Sequence, residues 1–364
     1  MTGTEKPQSS PPNVLRYDAA ALDSFCRAVF LAAGADQATA DAATRAMMHG
    51  SSLGVDSHGV RLLMHYVTVM TQGRVNPRPN LRFVTEFGAV ATLDADDAHG
   101  ALGAYRAQEK AVELAGTFGI GAVAVRNNSH FGPAGAYALA AAEAGCIGMA
   151  FCNSDSFMRL HDGAERFHGT NPIAVGVPVE GERPWLFDMA TSAVPYNRVQ
   201  LYRSLGRTLP AGVASDENGV DTTDPEKAEM LAPLGGEIGF KGAGLAGMVE
   251  ILSAVLTGMK LSFDILPMPG PDMSTPRGMG AFVMAIRPEA FLTKAEFQGG
   301  MARYLERLRG SRTLPGKTVM APGDREWAEA DHRRQQGIPI DPTTVEAFAQ
   351  LGQRYGLQVP SPKG

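Results

Sequence analysis

The stretch from Gly121 to Ser156, GAVAVRNNSHFGPAGAYALAAAEAGCIGMAFCNSDS, decides how this chain is read. Gly121 to Arg126 is a short apolar run of the length and composition of a buried strand. The longer apolar run from Ala134 to Phe151 contains Glu143 and is broken by Gly145 and Gly148. It reads as a helix followed by a second strand, Ile147 to Cys152, and not as a membrane span. RNNSH and CNSDS therefore stand where strands end. Side chains are exposed at such turns, and the first N–H groups of the following helix lack partners, which makes them natural places for chemistry.

Outward from this unit the texture is mixed α/β. Towards the N-terminus Asp18 caps a helix with Leu22, Phe25, Cys26, Val29 and Phe30 on one face and Gly34 as its stop. A second helix runs from about Asp36 to Ser52. After GVDSHGV a third carries Leu62, Leu63, Tyr66, Val67 and Met70. From Val84 glycine-punctuated strands alternate with a helix near Ala104 to Ala115. Further strands are expected over Ile173 to Pro178, Trp185 to Met189 and Gly280 to Ile286, and helices over Asn197 to Leu205 and Gly244 to Leu256. Leu261 to Arg277, rich in Pro, Met and Gly, reads as a long loop bordering a site. Phe297, Met301, Tyr304, Leu305 and Leu308 mark a late helix, and Asp341 to Tyr355 a capped final one. The expected fold is mixed α/β, with helical N- and C-terminal portions around a mixed sheet. We divide it into a tail (1–14), a mainly helical part (15–80 plus 285–364) and a mixed α/β part (81–284).

The bulk numbers limit the function. A chain of 364 residues forms about two domains. Its net charge of -5 offers no footprint for nucleic acid or an anionic membrane surface, so a small-molecule partner is expected. The three cysteines, Cys26, Cys146 and Cys152, form no CxxC pair, which argues against disulfides and a thiolate metal site. No metal is expected. The polar, proline-rich start reads as a loose tail rather than a signal peptide, and a cytoplasmic location is expected.

Several residues are candidates for chemistry. His58, after Ser57 in a break between helices, can exchange protons near neutral pH; equally, Ser57 can simply cap the third helix. His130, at the end of the first strand, suits a catalytic base, and Asp155 at the neighbouring strand end can orient it. Asp188, Thr191 and Ser192 end a further strand, where they can hold a ribose or phosphates. Lys241 stands among Gly235, Gly236, Gly239, Gly242 and Gly244 ahead of a helix, a phosphate-holding arrangement. Neither GxxxxGK[ST] nor GxGxxG occurs, so the usual Rossmann dinucleotide site is not expected.

Taken together, DSHGVRLL, NNSHFGPAGAYA, GTNPIAVGVP, FDMATSAV, LPAGVASDENGVDTTDP, LAPLGG with KGAGLAGMVEIL, and APGDREW with GIPI resemble, in order, the second type of malate/L-lactate dehydrogenases. That group includes ureidoglycolate, sulfolactate and diketogulonate oxidoreductases and piperideine-2-carboxylate reductases. The resemblance implies a homodimer using NAD or NADP on a 2-oxo or 2-hydroxy acid, or on a cyclic imine, with 81–284 as a mixed-sheet, non-Rossmann nicotinamide-cofactor domain and 15–80 plus 285–364 as a mainly helical substrate and dimerisation domain. It implies His58 or His130 as the proton-transferring residue, Ser154 and Asp155 near cofactor and histidine, and Asp188, Met189, Ala190, Lys241, Gly323 and Asp324 as cofactor positions. Two departures stand out. The usual substrate arginine position is Leu62, with Arg61 beside it, and Asn197-Arg198 replaces Gly-Lys. Arg61 or Arg159 is therefore expected to hold the substrate carboxylate. A cofactor-binding protein without turnover is the alternative of a different class.

Overall fold

The computed structural model describes residues 15–363; the tail expected over 1–14 lies outside them. The chain opens with β1 (Leu15–Tyr17), α1 (Ala19–Ala32), α2 (Gln37–Ser52) and α3 (Leu63–Thr71). Asp18 caps α1 as expected, accepting from the Ala20 and Ala21 N–H groups, and the five apolar residues read from the sequence are all buried. The third helix starts later than expected. Two 3-10 turns, Asp56–His58 and Val60–Leu62, precede it, separated by the extended Gly59, so Ser57 caps no helix.

The middle of the chain contributes β2 (Arg82–Phe87), β3 (Val90–Asp94), α4 (Gly100–Phe118), β4 (Ile120–Asn128), α5 (Gly135–Glu143) and β5 (Ile147–Cys152). Next come β6 (Met158–Arg159), β7 (Arg166–His168), β8 (Ile173–Val177), β9 (Trp185–Met189), α6 (Tyr196–Ser204), β10 (Ala214–Ser215) and β11 (Met230–Leu231). Then follow α7 (Phe240–Glu250), β12 (Met279–Ile286), α8 (Lys294–Arg309), α9 (Asp324–Gln336), β13 (Ile338–Ile340) and α10 (Pro342–Tyr355). The helix expected over Gly244 to Leu256 begins at Phe240, and its last turns widen into a π-helix, Ile251–Val255.

Seven strands form the central sheet in the order β2-β3-β4-β12-β5-β8-β9. Only β3 and β4 run parallel; every other neighbouring pair is antiparallel. This is a mixed α/β fold without the parallel doubly wound sheet of a Rossmann domain. The central place of β12 has a consequence for the site. Its start lies opposite the ends of two other strands, with Met279 paired to Asn128 of β4 and Ala281 to Cys152 of β5. The polar turns after β4 and β5 and the residues just before β12 therefore meet at one edge of the sheet.

Helices α4 and α5 cover one face. The close seat of α5 depends on Gly148 and Gly176, where an added Cβ would strike the Ala138 carbonyl. The other face packs Phe151, Phe282 and Ala124 against Val249 of α7. A separate core joins α1 to α3 with β13 and α10 through Phe30, Leu63, Phe348 and Leu351. A four-stranded sheet, β10-β11-β6-β7, forms a third lobe around Met158, Leu209 and Leu231.

The sequence reading missed β1, β13 and the four short strands, because two or three residues carry no period. It also missed α9, whose only buried residue is Arg333. In α8 the expected helix forms, yet Leu305 alone is fully buried. No helix among the described residues is long and apolar enough to cross a membrane.

Candidate active site

The end of β4, which runs two residues beyond the expected Arg126, is shaped by its asparagines. Asn127 takes a left-handed conformation, φ 50°, which Asn tolerates better than most residues, and its side chain donates to Asp94 Oδ1 at 3.0 Å. Asn128 is buried and donates to the Gly100 carbonyl at 3.3 Å. Gly100 must be glycine, since a Cβ there would overlap the Ser129 and His130 carbonyls. With the asparagines committed to the strand end, His130 in the turn that follows is left to face the site.

His130 meets His58 ring to ring, with centroids 5.7 Å apart and planes 19° from parallel. Two candidates on separate sequence motifs thus form one pair. The Nδ1 of His130 lies 2.8 Å from Tyr66 Oη, and that of His58 lies 2.8 Å from Ser57 Oγ. In both rings Nε2 remains for a substrate. Burial, then the Arg61 charge, lowers the His58 pKa to about 4; burial, then the nearby His58 and Arg277 charges, places that of His130 well below its ordinary value. Both are neutral at pH 7 and can accept a proton, and protonation of one opposes protonation of the other. Burial pushes the Tyr66 phenol up, so its hydroxyl keeps its proton.

The expected contact between Asp155 and His130 is not made. Asp155 forms an ion pair with Arg277, and its other oxygen accepts from the Met268 N–H at 3.1 Å. Tyr66 occupies the orienting place at His130. A guanidinium arriving just ahead of β12 captures the carboxylate at the end of β5, a long-range pairing that strand-end composition does not reveal.

Below the pair, His99 is only 1% exposed, caps α4 by accepting from the Ala101 N–H, and sets its ring edge-on to Tyr66 at 4.3 Å. Burial, with a smaller push from His65, lowers its pKa to about 3. Between about pH 6.5 and 3 the unfolded chain takes up this proton and the folded one does not. The stability linked to His99 is therefore intact above that window and falls by about 1.4 kcal/mol per pH unit as pH drops through it. His99→Asn keeps a capping side chain without the titration. We expect urea unfolding across a pH series to show a shallower acid-side slope by that amount; an unchanged slope would contradict the buried neutral imidazole.

The two arginine candidates separate. Arg61 is exposed, pairs with no acid among the described residues, and is close enough for its charge to act on His58. Arg159 is taken up within the small sheet: its nitrogens donate to Asp221 at 2.6 Å, Ser215 at 3.2 Å and the Leu160 carbonyl at 3.1 Å. Arg61 is the one available to a ligand.

The cofactor candidates line up on adjacent segments. Ser154 Oγ accepts from the Thr170 N–H, Thr191 N–H donates to the Thr170 carbonyl, and Leu234 N–H donates to the Thr191 carbonyl. This ladder joins the CNSDS turn, the end of the FDMATS segment and the approach to α7. Asp188 is solvent-accessible at the end of β9, and its Oδ2 accepts from the Gly135 N–H at 2.7 Å. The protein around it outweighs that bond and raises its pKa to about 6. Met189 and Ala190 are half-buried beside it. Thr191 and Ser192 differ from expectation: their hydroxyls turn inward to the Thr170, Asn171 and Val194 carbonyls and shape the backbone. Lys241 is exposed in the first turn of α7, whose cap, Gly239, supplies no side chain. Asp324 is bound by Arg309 and the Ala321 N–H, and the Gly323 segment lies against β9, where the Leu186 N–H donates to the Pro322 carbonyl. A nicotinamide dinucleotide fits this set: Lys241 and the uncapped α7 N–H groups suit its phosphates, and the free Asp188 Oδ1 suits ribose hydroxyls.

The sequence reading placed Tyr66 in an apolar stripe and Arg277 in a loop. Neither has a local signal for its role, although the loop itself was read as bordering a site.

A non-Rossmann sheet presenting a neutral histidine pair, with Asp188 and Lys241 on neighbouring segments, suits a dehydrogenase-type oxidoreductase. Comparison with known proteins makes this specific. The model of the malate/L-lactate dehydrogenase family matches residues 17–349, and the chain belongs to that family. It is 34% identical over 354 residues to a malate dehydrogenase of Pyrococcus abyssi, covering 95% of this chain and 96% of the relative. It is 30% identical over 309 residues to a ureidoglycolate dehydrogenase (NAD(+)) of Escherichia coli, covering 85% and 87%. The crystal structure of malate dehydrogenase from Entamoeba histolytica superposes with a TM-score of 0.90 at 29% identity, covering 96% of this chain and all, 100%, of that one.

Proposed function

We propose that this protein interconverts a 2-hydroxy acid and its 2-oxo acid with NAD or NADP. The observation that carries the reading is the stacked His58–His130 pair, each ring oriented at Nδ1 by a hydroxyl and neutral at pH 7. When bound, the nicotinamide supplies or takes up the hydride. In the oxidation direction His130 Nε2 takes the proton of the substrate hydroxyl, while Tyr66 Oη accepts from Nδ1–H and holds the ring. His58, fixed by Ser57, stays neutral beside that charge, so the pair holds a single proton at a time. Arg61 pairs with the C1 carboxylate and so fixes C2 relative to the histidines. Asp155 acts one step away, by holding Arg277. Ser154, Asp188, Met189, Ala190, Lys241, Gly323 and Asp324 form or border the cofactor platform.

We assign the cofactor domain to 81–284 and the substrate and dimerisation domain to 15–80 plus 285–364. Exposed Ile238, Phe240, Met248, Ile251, Val255 and Leu256 along α7 and its π-helical extension support a homodimer that buries this face. Three buried free cysteines are consistent with a cytoplasmic location.

The test mixes the protein with NADH or NADPH and a panel of 2-oxo acids and cyclic imino acids, following loss of the reduced cofactor. Oxidation with a 2-oxo acid is expected. Activity confined to cyclic imines would move the substrate to that class, and silence across the panel with cofactor bound would leave a binding protein.

A further inference from the structure

Arg74 and Arg277 are each only 2% exposed, an unusual place for two guanidinium groups. Arg74, in the segment after α3, donates through Nη1 to the carbonyls of Pro267 (3.4 Å) and Met268 (3.1 Å), while its Nε and Nη2 have no acceptor among the described residues. Arg277 donates to Asp155 and to the Leu266 carbonyl (2.8 Å), while its Nη1 likewise has none among them. One buried carboxylate thus faces two buried cations. The other nearby acid, Asp272, sits on the outer turn of the loop, where its Oδ1 accepts from the Ser274 N–H, the Ser274 hydroxyl and the Thr275 N–H, and not from Arg74. Unbalanced buried charge with three acceptor-free nitrogens is costly unless an anion completes it.

The position is informative as well. Arg277 stands two residues ahead of Met279, which pairs with Asn128, so it arrives at the His130 turn. Its charge acts on His130, His65 and Tyr66, and Arg74 acts on His65. The loop from Leu261 to Arg277 lies over both arginines through the Leu266, Pro267 and Met268 contacts. Arg61, by contrast, approaches from the His58 side.

We propose that Arg74 and Arg277 form an anion subsite for a second acidic group, carboxylate or sulfonate, on a substrate whose C1 carboxylate pairs with Arg61. The substrate class is then the 2-oxo and 2-hydroxy diacids. The substrate assignment rests on the dehydrogenase reading above; the anion subsite does not.

Two measurements test this. Thermal unfolding in the presence of NADH is followed with succinate, and with acetate at equal ionic strength, for the unaltered protein and Arg74→Gln. Succinate is expected to raise the midpoint of the unaltered protein above that in acetate and to lose this effect in the variant. No succinate effect, or an equal one in both proteins, would overturn the subsite. In steady-state assays, the kcat/KM ratio of oxaloacetate to pyruvate is expected to fall about ten- to a hundred-fold in Arg74→Gln, the range for a lost charged hydrogen bond. An equal fall for both substrates would make Arg74 structural only and overturn its role in specificity. Arg277→Gln strands Asp155 and is prone to unfold, so Arg74→Gln is the deciding variant. If no 2-oxo acid is reduced while succinate stabilises only the unaltered protein, the dehydrogenase reading fails and the anion subsite stands.

Discussion

Replacing His130 by alanine is expected to lower kcat by about 10²- to 10⁴-fold, the usual contribution of a positioned general base or acid. His130 is one half of the stacked pair, and its Nδ1 is already engaged by Tyr66, so in the proposed mechanism Nε2 is the atom that addresses the substrate. Steady-state assays of the variant, with cofactor affinity measured separately by fluorescence, isolate the proton step. Cofactor binding should persist, because the platform around Asp188 and Lys241 shares no hydrogen bond with the ring. Tyr66→Phe should cost less, since the imidazole remains and only its orientation is loosened, and it should shift the pH profile of kcat. Unchanged turnover in His130→Ala would transfer the proton step to His58. Unchanged turnover in both His130→Ala and His58→Ala would remove the pair from the mechanism.

The second large effect is on stability. Glu250, at the end of α7 and 5% exposed, gathers polar groups from four residues on three segments. It accepts from the Ser262 N–H and hydroxyl, both at 2.6 Å, from Asn171 at 2.8 Å and from Asn153 at 3.3 Å, and His168 Nδ1 lies 3.6 Å away. Burial alone would raise its pKa, but the nearby His168 and the bonds from Ser262 and Asn171 hold it below the ordinary glutamate value. Ser262 opens the loop that ends at Arg277, so this carboxylate fastens one end of the segment over the site. We expect Glu250→Ala to destabilise the protein by about 3–5 kcal/mol, because it strands buried donors as well as removing a charge. Glu250→Gln, which keeps two polar atoms there, should cost roughly 1–2 kcal/mol. Urea unfolding measures both, and hydrogen exchange in Glu250→Ala should show the backbone after Ser262 opening first. A loss below 1 kcal/mol in the alanine variant would mean that the network is not a structural anchor.

Much of the fold was legible because it is written in short range. The Asp18 cap with its helical spacing, the glycine-bounded strands flanking RNNSH and CNSDS, and the absence of GxGxxG each report local physics, and each is found as expected. Elements of two or three residues, such as β1 with β13, exist only through their partners and leave no period to read. The turn ahead of α3 was misread for a related reason: Ser57 has the composition of a cap, but the extended Gly59 restarts the chain before the helix begins.

By itself, then, the sequence determined a mixed α/β chain without a Rossmann site, placed His58 and His130 at breaks between elements, and carried the ordered motifs of its family. Tertiary structure decided which of these residues meet. The antiparallel seating of β12 between β4 and β5 brings Arg277 to Asp155, α3 delivers Tyr66 to His130, and the inward turn of Thr191 and Ser192 removes two hydroxyls from the cofactor face. The physical reason is the same in each case: partners far apart in sequence are chosen by strand register and packing, and no local pattern encodes them.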